Sequence, residues 1–188
     1  MITTLRIIFV LIPALVVGHS TIAVYAIQAP DLVGFWELSE IQGAWLVGGF
    51  MLAYIPALVG SWGAVKYRAK PALIGALAVA GLSRLIFAEM AETFTVGFIL
   101  LLLDGAAAAV ILTTISRLLR SRRGAGVWLI APLAVVSVAL SVLGPHAAVF
   151  VAFALPNAFL AMHYIGGALA LVWALIAALF VPSTRPLY

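Results

Sequence analysis

Three ionisable side chains stand inside long apolar runs. His19 lies in Val17-Gly18-His19-Ser20-Thr21, Arg84 in Ser83-Arg84-Leu85 and Asp104 in Leu103-Asp104-Gly105. A charge held in hydrocarbon is costly, and such residues by default carry protons, ions or substrates, or pair with one another. A carboxylate in lipid sheds its charge by taking a proton, and a nearby imidazole can share that proton. Asp104 sits about nine residues from the outer end of its run, roughly 14 Å at 1.5 Å per residue. His19 sits about twelve residues from the inner end of its own, roughly 18 Å on the same scale. In a hydrocarbon layer about 30 Å thick these levels nearly coincide, so Asp104 and His19 suggest a proton relay. The plainer reading has Asp104 hydrogen-bonding a neighbouring helix and a neutral His19 satisfied by a backbone carbonyl.

Arg84 lies about four residues inside the outer end of its run, a depth from which its stem can snorkel to the interface. Snorkelling is the reading this position favours. The alternative pairs Arg84 with Asp104 across an antiparallel hairpin. Tyr25, Trp45 and Tyr54 are candidates to line a cavity with these groups. Phe35, Trp36 and Trp62 fit the interfacial aromatic belt, and His163 and Tyr164 read as anchors near the outer face. No HExxH, GxSxG, phosphate loop or paired-carboxylate spacing occurs. Three histidines on separate segments do not make a metal site, so no enzyme, metal or cofactor is expected. With no cysteine there is no thiol nucleophile, disulfide or Cys-based metal site.

The elements that position these groups follow from composition. Of 188 residues, 66% are hydrophobic and only 9% charged, against about 25% charged in a typical soluble domain. Such a chain cannot cover a globule with polar surface, so lipid must be its solvent over much of its area. A span needs roughly 20 apolar residues, with a range of about 17–25. Six runs qualify: Ile7–Gln28, Ala44–Trp62, Ala72–Ala88, Thr95–Ile115, Ala125–Leu143 and Phe159–Val181. Backbone polar groups must be satisfied inside lipid, so these are helices. The expectation is an all-α polytopic membrane protein, one six-helix domain over residues 1–188. Ala147–Leu155 is too short to cross and reads as re-entrant, interfacial or an extension of the fifth run. The first run begins like a signal peptide, with Arg6 before Ile7–Val17, but continues through Ala26 and is expected to remain as a span.

Charge writes the topology. Arg6 precedes the first run; Asp31, Glu37 and Glu40 occupy the next gap; Lys66, Arg68 and Lys70 the next; Glu89 and Glu92 the next; Arg117, Arg120, Arg122 and Arg123 the next. The gap near Gly144–Asn157 carries no such charge, and Arg185 follows the last run. Basic residues beside spans stay cytoplasmic, so both termini are expected inside, in a cell inner (plasma) membrane. The same reading disposes of nucleic acid as a partner: the net charge of +4 comes from short loops, not a basic stripe with stacking aromatics. Gly48, Gly49, Ala53, Ala57 and Gly60, then Gly75, Ala76, Ala80 and Gly81, then Gly105 and Ala106–Ala109 supply small residues for close helix packing. Pro13, Pro56 and Pro132 fall within runs, where proline kinks a helix.

With these features in place, the chain resembles the amino-terminal half of a major facilitator superfamily transporter, in particular the fourteen-span drug:proton antiporter branch. Gln42-Gly-Ala-Trp45-Leu-Val-Gly-Gly-Phe-Met-Leu-Ala-Tyr54 is similar to that branch's second-span opening. His19-Ser-Thr-Ile-Ala-Val-Tyr25-Ala is similar to its first-span motif, with His19 in the acid's slot. Gly60-Ser-Trp-Gly-Ala-Val-Lys66-Tyr-Arg68-Ala-Lys70 occupies the slot of the gating-loop motif, with Ala64 for its Asp and Tyr67 for its Gly. Leu101 and Asp104 stand in the Arg and Gln slots of the fourth-span motif, and Gly144-Pro145 sits a few residues late for the fifth-span motif. The resemblance covers roughly residues 10–183 and implies a three-plus-three inverted repeat, in which the runs bearing His19 and Asp104 are equivalent. It implies proton-coupled export of small hydrophobic or amphipathic compounds by a half-size transporter. A homodimer or a separately encoded second half would complete it. Gly60, Lys66, Arg68 and Lys70 would form a cytoplasmic gate. The rival expectation is a non-transporting membrane subunit, or a degenerate remnant, that binds a partner membrane protein.

Overall fold

The computed structural model describes residues 2–65, 68–120 and 158–182, and among these it is all helix and turn. The helices are α1 (Ile2–Phe35), α2 (Glu40–Ala64), α3 (Ala69–Met90), α4 (Phe94–Arg120) and α5 (Ala158–Phe180). They contain the first four runs, and the sixth up to Phe180. The fifth run, Ala147–Leu155, Gly144–Pro145, Lys66 and Tyr67 lie outside the described residues.

The helices overrun the apolar stretches because polar residues at their ends cap or continue them. α1 runs on through Pro30 and Asp31, then stops where Glu37 takes a positive φ of 50°. α2 begins with a capping box: Ser39 Oγ accepts from the Gln42 backbone N–H at 3.3 Å, and Gln42 Oε1 accepts from the Ser39 N–H at 3.0 Å. Between α3 and α4 only 91–93 intervene, and the Gly97 N–H reaches the Thr93 carbonyl at 3.0 Å, so the pair forms a tight antiparallel hairpin.

Three helical stretches are long and apolar enough to cross a bilayer: Ala69–Met90, Phe94–Leu119 and Leu160–Phe180. In α2, Glu40–Leu46 and Gly48–Gly63 meet at 41° and make a fourth if taken together. The bend falls beside the Gly48-Gly49 pair and not at Pro56. Phe9–Thr21 of α1 is a shorter apolar helix. These features fit an integral membrane protein. Leu175, Leu179, Val59 and Ile55 stand exposed, an outward face that suits lipid and not water.

α4 packs between α2 and α3, α3 packs on α5, and α1 lies against α5 and α4. Toward the basic ends, Leu11, Leu15, Leu73, Leu77, Ile111 and Ile115 interdigitate. Toward the acidic ends, Tyr25, Leu46, Phe50, Phe87 and Leu101 form a second cluster. Glycine sets the closest crossings. A Cβ on Gly105 of α4 would strike the Phe50 backbone carbonyl of α2, so these backbones meet without a side chain between them. On α3 and α5 the contact is reciprocal. A Cβ on Gly81 would meet the Gly167 oxygen at 2.9 Å and Leu171 at 2.8 Å; one on Gly167 would meet the Gly81 oxygen at 2.9 Å and Leu85 at 2.8 Å. By contrast, Gly48, Gly60 and Gly75 face open space, so the expected close packing is not made at those three among the described residues.

Candidate functional site

Between the two apolar clusters lies a polar layer centred on Arg84. The snorkelling expectation fails: Arg84 is only 2% exposed, and its guanidinium turns into the bundle. Arg84 Nε donates to Asp104 Oδ2 at 3.2 Å, and Nη2 donates to Oδ1 at 3.1 Å, a two-pronged ion pair between α3 and α4. The physical reason is competition for solvation. At this depth the carboxylate offers the guanidinium a charged, two-pronged partner, and each charge offsets part of the other's desolvation cost.

Arg84 also reaches α1 and α5. Nη1 donates to the Val17 carbonyl at 2.8 Å, Nη2 donates to the Gly18 carbonyl at 3.1 Å, and Nη1 lies 3.5 Å from both Ser20 Oγ and the Gly166 carbonyl. Every guanidinium nitrogen therefore has an acceptor, and four helices converge on one cation. Gly18 is tight for another reason: a Cβ there would meet the Ile111 side chain of α4 at 2.8 Å.

His19, next along α1, is 4% exposed. Its Nδ1 lies 3.0 Å from the Leu15 carbonyl, an acceptor only, which fixes the proton on Nδ1. Nε2 lies 3.3 Å from the Tyr54 hydroxyl of α2, which must donate to it while the imidazole is neutral. The backbone-carbonyl partner of the plainer sequence reading is thus present for His19, with Tyr54 added. Tyr54 stacks on Phe50 with ring centroids 5.7 Å apart and is half-buried.

The other sequence-selected residues divide. Tyr25 is buried, edge-on to Phe87 at 5.2 Å and to His163 at 5.3 Å. Trp45 is 52% exposed on the outward face of α2 and does not join the layer. Gly60 is helical and faces outward in α2, Arg68 is exposed just before α3, and Lys70 belongs to the first turn of α3. Lys66 lies outside the described residues. One interfacial reading needs correction. His163 is 2% exposed and stacks on Phe87 at 4.5 Å, so aromatic packing has drawn it inside. Trp36 is half-buried against Phe87 and Phe94, with its indole N–H donating to the Ala91 carbonyl at 3.0 Å. Tyr164, in contrast, remains exposed and hydrogen-bonds Glu89.

Sequence reasoning missed a second polar tie. Ser61 Oγ of α2 donates to Thr113 Oγ1 of α4 at 3.0 Å, and Thr113 in turn donates to the Ala109 carbonyl at 2.8 Å. The available signal was a hydroxyl inside each of two apolar runs. Among the described residues, no group of three or more His, Cys, Asp or Glu is placed to hold a metal ion. The chain matches no family model and no curated protein.

Proposed function

We propose that this chain is a major-facilitator-type membrane transporter unit. It would use a proton gradient to export small hydrophobic or amphipathic compounds, with six spans, both termini on the cytoplasmic side of a cell inner membrane, and a second six-helix unit facing it. The observation that carries this reading is the polar layer itself. Arg84, Asp104, His19 and Tyr54 come from four positions far apart in sequence and share one level inside an apolar bundle, where ionisable groups are retained for transport or pairing. Transporter sites of this kind lie near the midplane, at repeat interfaces.

The packing supports the three-plus-three arrangement. Exchange of helices one to three with four to six maps the α3–α5 contact onto itself and the α1–α5 contact onto α4–α3, which are present, while the slight α1–α3 contact has no α4–α5 counterpart among the described residues. The reciprocal glycine crossing gives the register: Gly81 and Leu85 correspond to Gly167 and Leu171, a constant offset of 86. The same offset carries Ile7–Gln28 onto residues 93–114, within two positions of the fourth run at each end.

A specific observation also favours the rival reading, a non-transporting subunit. Arg84 has an acceptor for every nitrogen, as a purely structural tie would. The deciding experiment reconstitutes the chain in liposomes with an imposed pH gradient and follows a panel of hydrophobic cations and neutral amphipaths. Gradient-dependent movement is expected. No movement of any solute, with the protein folded and correctly inserted, would leave the subunit reading in possession.

A further inference from the structure

We infer that the proton-responsive group of the polar layer is His19 and not Asp104, and that protonating His19 Nε2 frees α1 from the Arg84 tie. This rests on the proton-coupled reading for its purpose, but its geometry and its test are independent of transport.

Asp104 is poorly placed to exchange a proton. Both carboxylate oxygens accept from a guanidinium that stays charged at any physiological pH, so a proton there would cancel the charge that answers Arg84 and leave a buried cation without a counter-ion. His19 has one nitrogen available. Nδ1–H is committed to the Leu15 carbonyl, and Nε2 meets only a hydroxyl, which can donate or accept. On protonation Nε2–H donates to Tyr54 Oη, and the phenolic hydrogen turns away. No heavy atom needs to leave for that step.

The consequence falls on Arg84. The charged or titratable groups facing His19 are Tyr54 from α2, Arg84 from α3 and Asp104 from α4. On α5, His163 stacks on Phe87 and lies close enough to Arg84 to feel its charge, while Tyr164 bonds Glu89. Arg84 holds α1 through the Val17 and Gly18 carbonyls, the two residues just before His19. An imidazolium at position 19 would set two cations against one carboxylate. Arg84 keeps Asp104, its charged partner, and gives up the two neutral carbonyls. α1 then loses its polar hold on α3 and α5 at that level.

The test uses the full chain in lipid nanodiscs with spin labels at introduced cysteines replacing Phe9 on α1 and Leu179 on α5, both widely exposed. The chain has no native cysteine to interfere. As the pH is lowered from neutrality the label distance should shift or broaden in a single titration. His19→Gln should abolish the transition while leaving the high-pH distance unchanged. Tyr54→Phe removes the oxygen that accepts from the imidazolium, and should displace the transition to lower pH. A parent protein with no transition, or a transition that survives His19→Gln, overturns the inference. A transition abolished by His19→Gln in a protein that moves no solute upholds the inference and refutes only the transport reading.

Discussion

Removing one charge of the Arg84–Asp104 pair should be far more damaging than removing both, and the two single removals should differ from each other. Asp104→Asn keeps the shape but leaves a buried guanidinium without a counter-ion. The asparagine carbonyl can replace one of the two donations at 3.1 and 3.2 Å, while its amide points hydrogens at a group that only donates. Breaking a buried pair in this way costs about 3–5 kcal/mol. The surviving bonds to Val17 and Gly18 argue for the lower part of that range. Arg84→Met strands the carboxylate instead, but a carboxylate can take a proton and a guanidinium cannot. Its penalty should therefore be smaller and should shrink as pH falls, whereas the Asp104→Asn penalty should not.

The measurement is reversible unfolding in mixed micelles, followed by helical circular dichroism, for both single variants and for Arg84→Met with Asp104→Leu. The double variant should lie within about 1 kcal/mol of the parent or above it, because replacing a buried pair with apolar groups is often neutral or stabilising. A loss below about 1 kcal/mol for Asp104→Asn, the scale of one neutral hydrogen bond, would refute the reasoning. It would mean that Asp104 is not ionised against Arg84 in the bilayer.

The close crossings give a graded test: alanine at Gly105, Gly81 or Gly167 should each destabilise by about 1–3 kcal/mol through overpacking, while Gly75→Ala should cost nothing, since its Cβ meets open space. Gly81→Ala and Gly167→Ala should match each other closely, and a large disparity would count against equivalent surroundings. Cysteines introduced at exposed Arg68 and Glu92 should react with impermeant reagents from opposite sides, the first from the cytoplasm. Labelling of both from one side would sink the topology.

The sequence made the helices legible because the apolar runs are long and their punctuation charged; α3, α4 and α5 depart from the corresponding runs by only a few residues. It also placed His19 and Asp104 at one level, since depth follows from counting residues at a fixed rise. Rotation about each helix was not legible. Hydropathy is nearly uniform around these helices, so no apolar stripe told which way Arg84, Trp45 or His163 pointed. Arg84 was assigned to the interface because snorkelling depends on depth alone, whereas pairing depends on the azimuth of two helices. His163 went astray for a related reason. An aromatic near a span end can serve the interface or an internal stack, and here the Phe87 ring decides.

The Arg84 tie is chemically lopsided, and that asymmetry singles out the helix that should loosen first. Arg84 grips α1 by a backbone carbonyl and α4 by a carboxylate. A hydrogen bond between charged partners is roughly twice as strong as one between neutral groups. Donation to the α1 carbonyls has a charge on one side only, and these carbonyls are also shared, Val17 with the Ser20 hydroxyl at 2.9 Å. A disturbance of the layer should therefore free α1 while α3 and α4 stay joined. Amide hydrogen exchange in lipid offers the check. Peptides covering Val17–Thr21 should exchange faster than those covering Leu101–Gly105, and lowering the pH should widen the difference after correction for the intrinsic rate. Equal protection of the two segments across that range would contradict the lopsided tie.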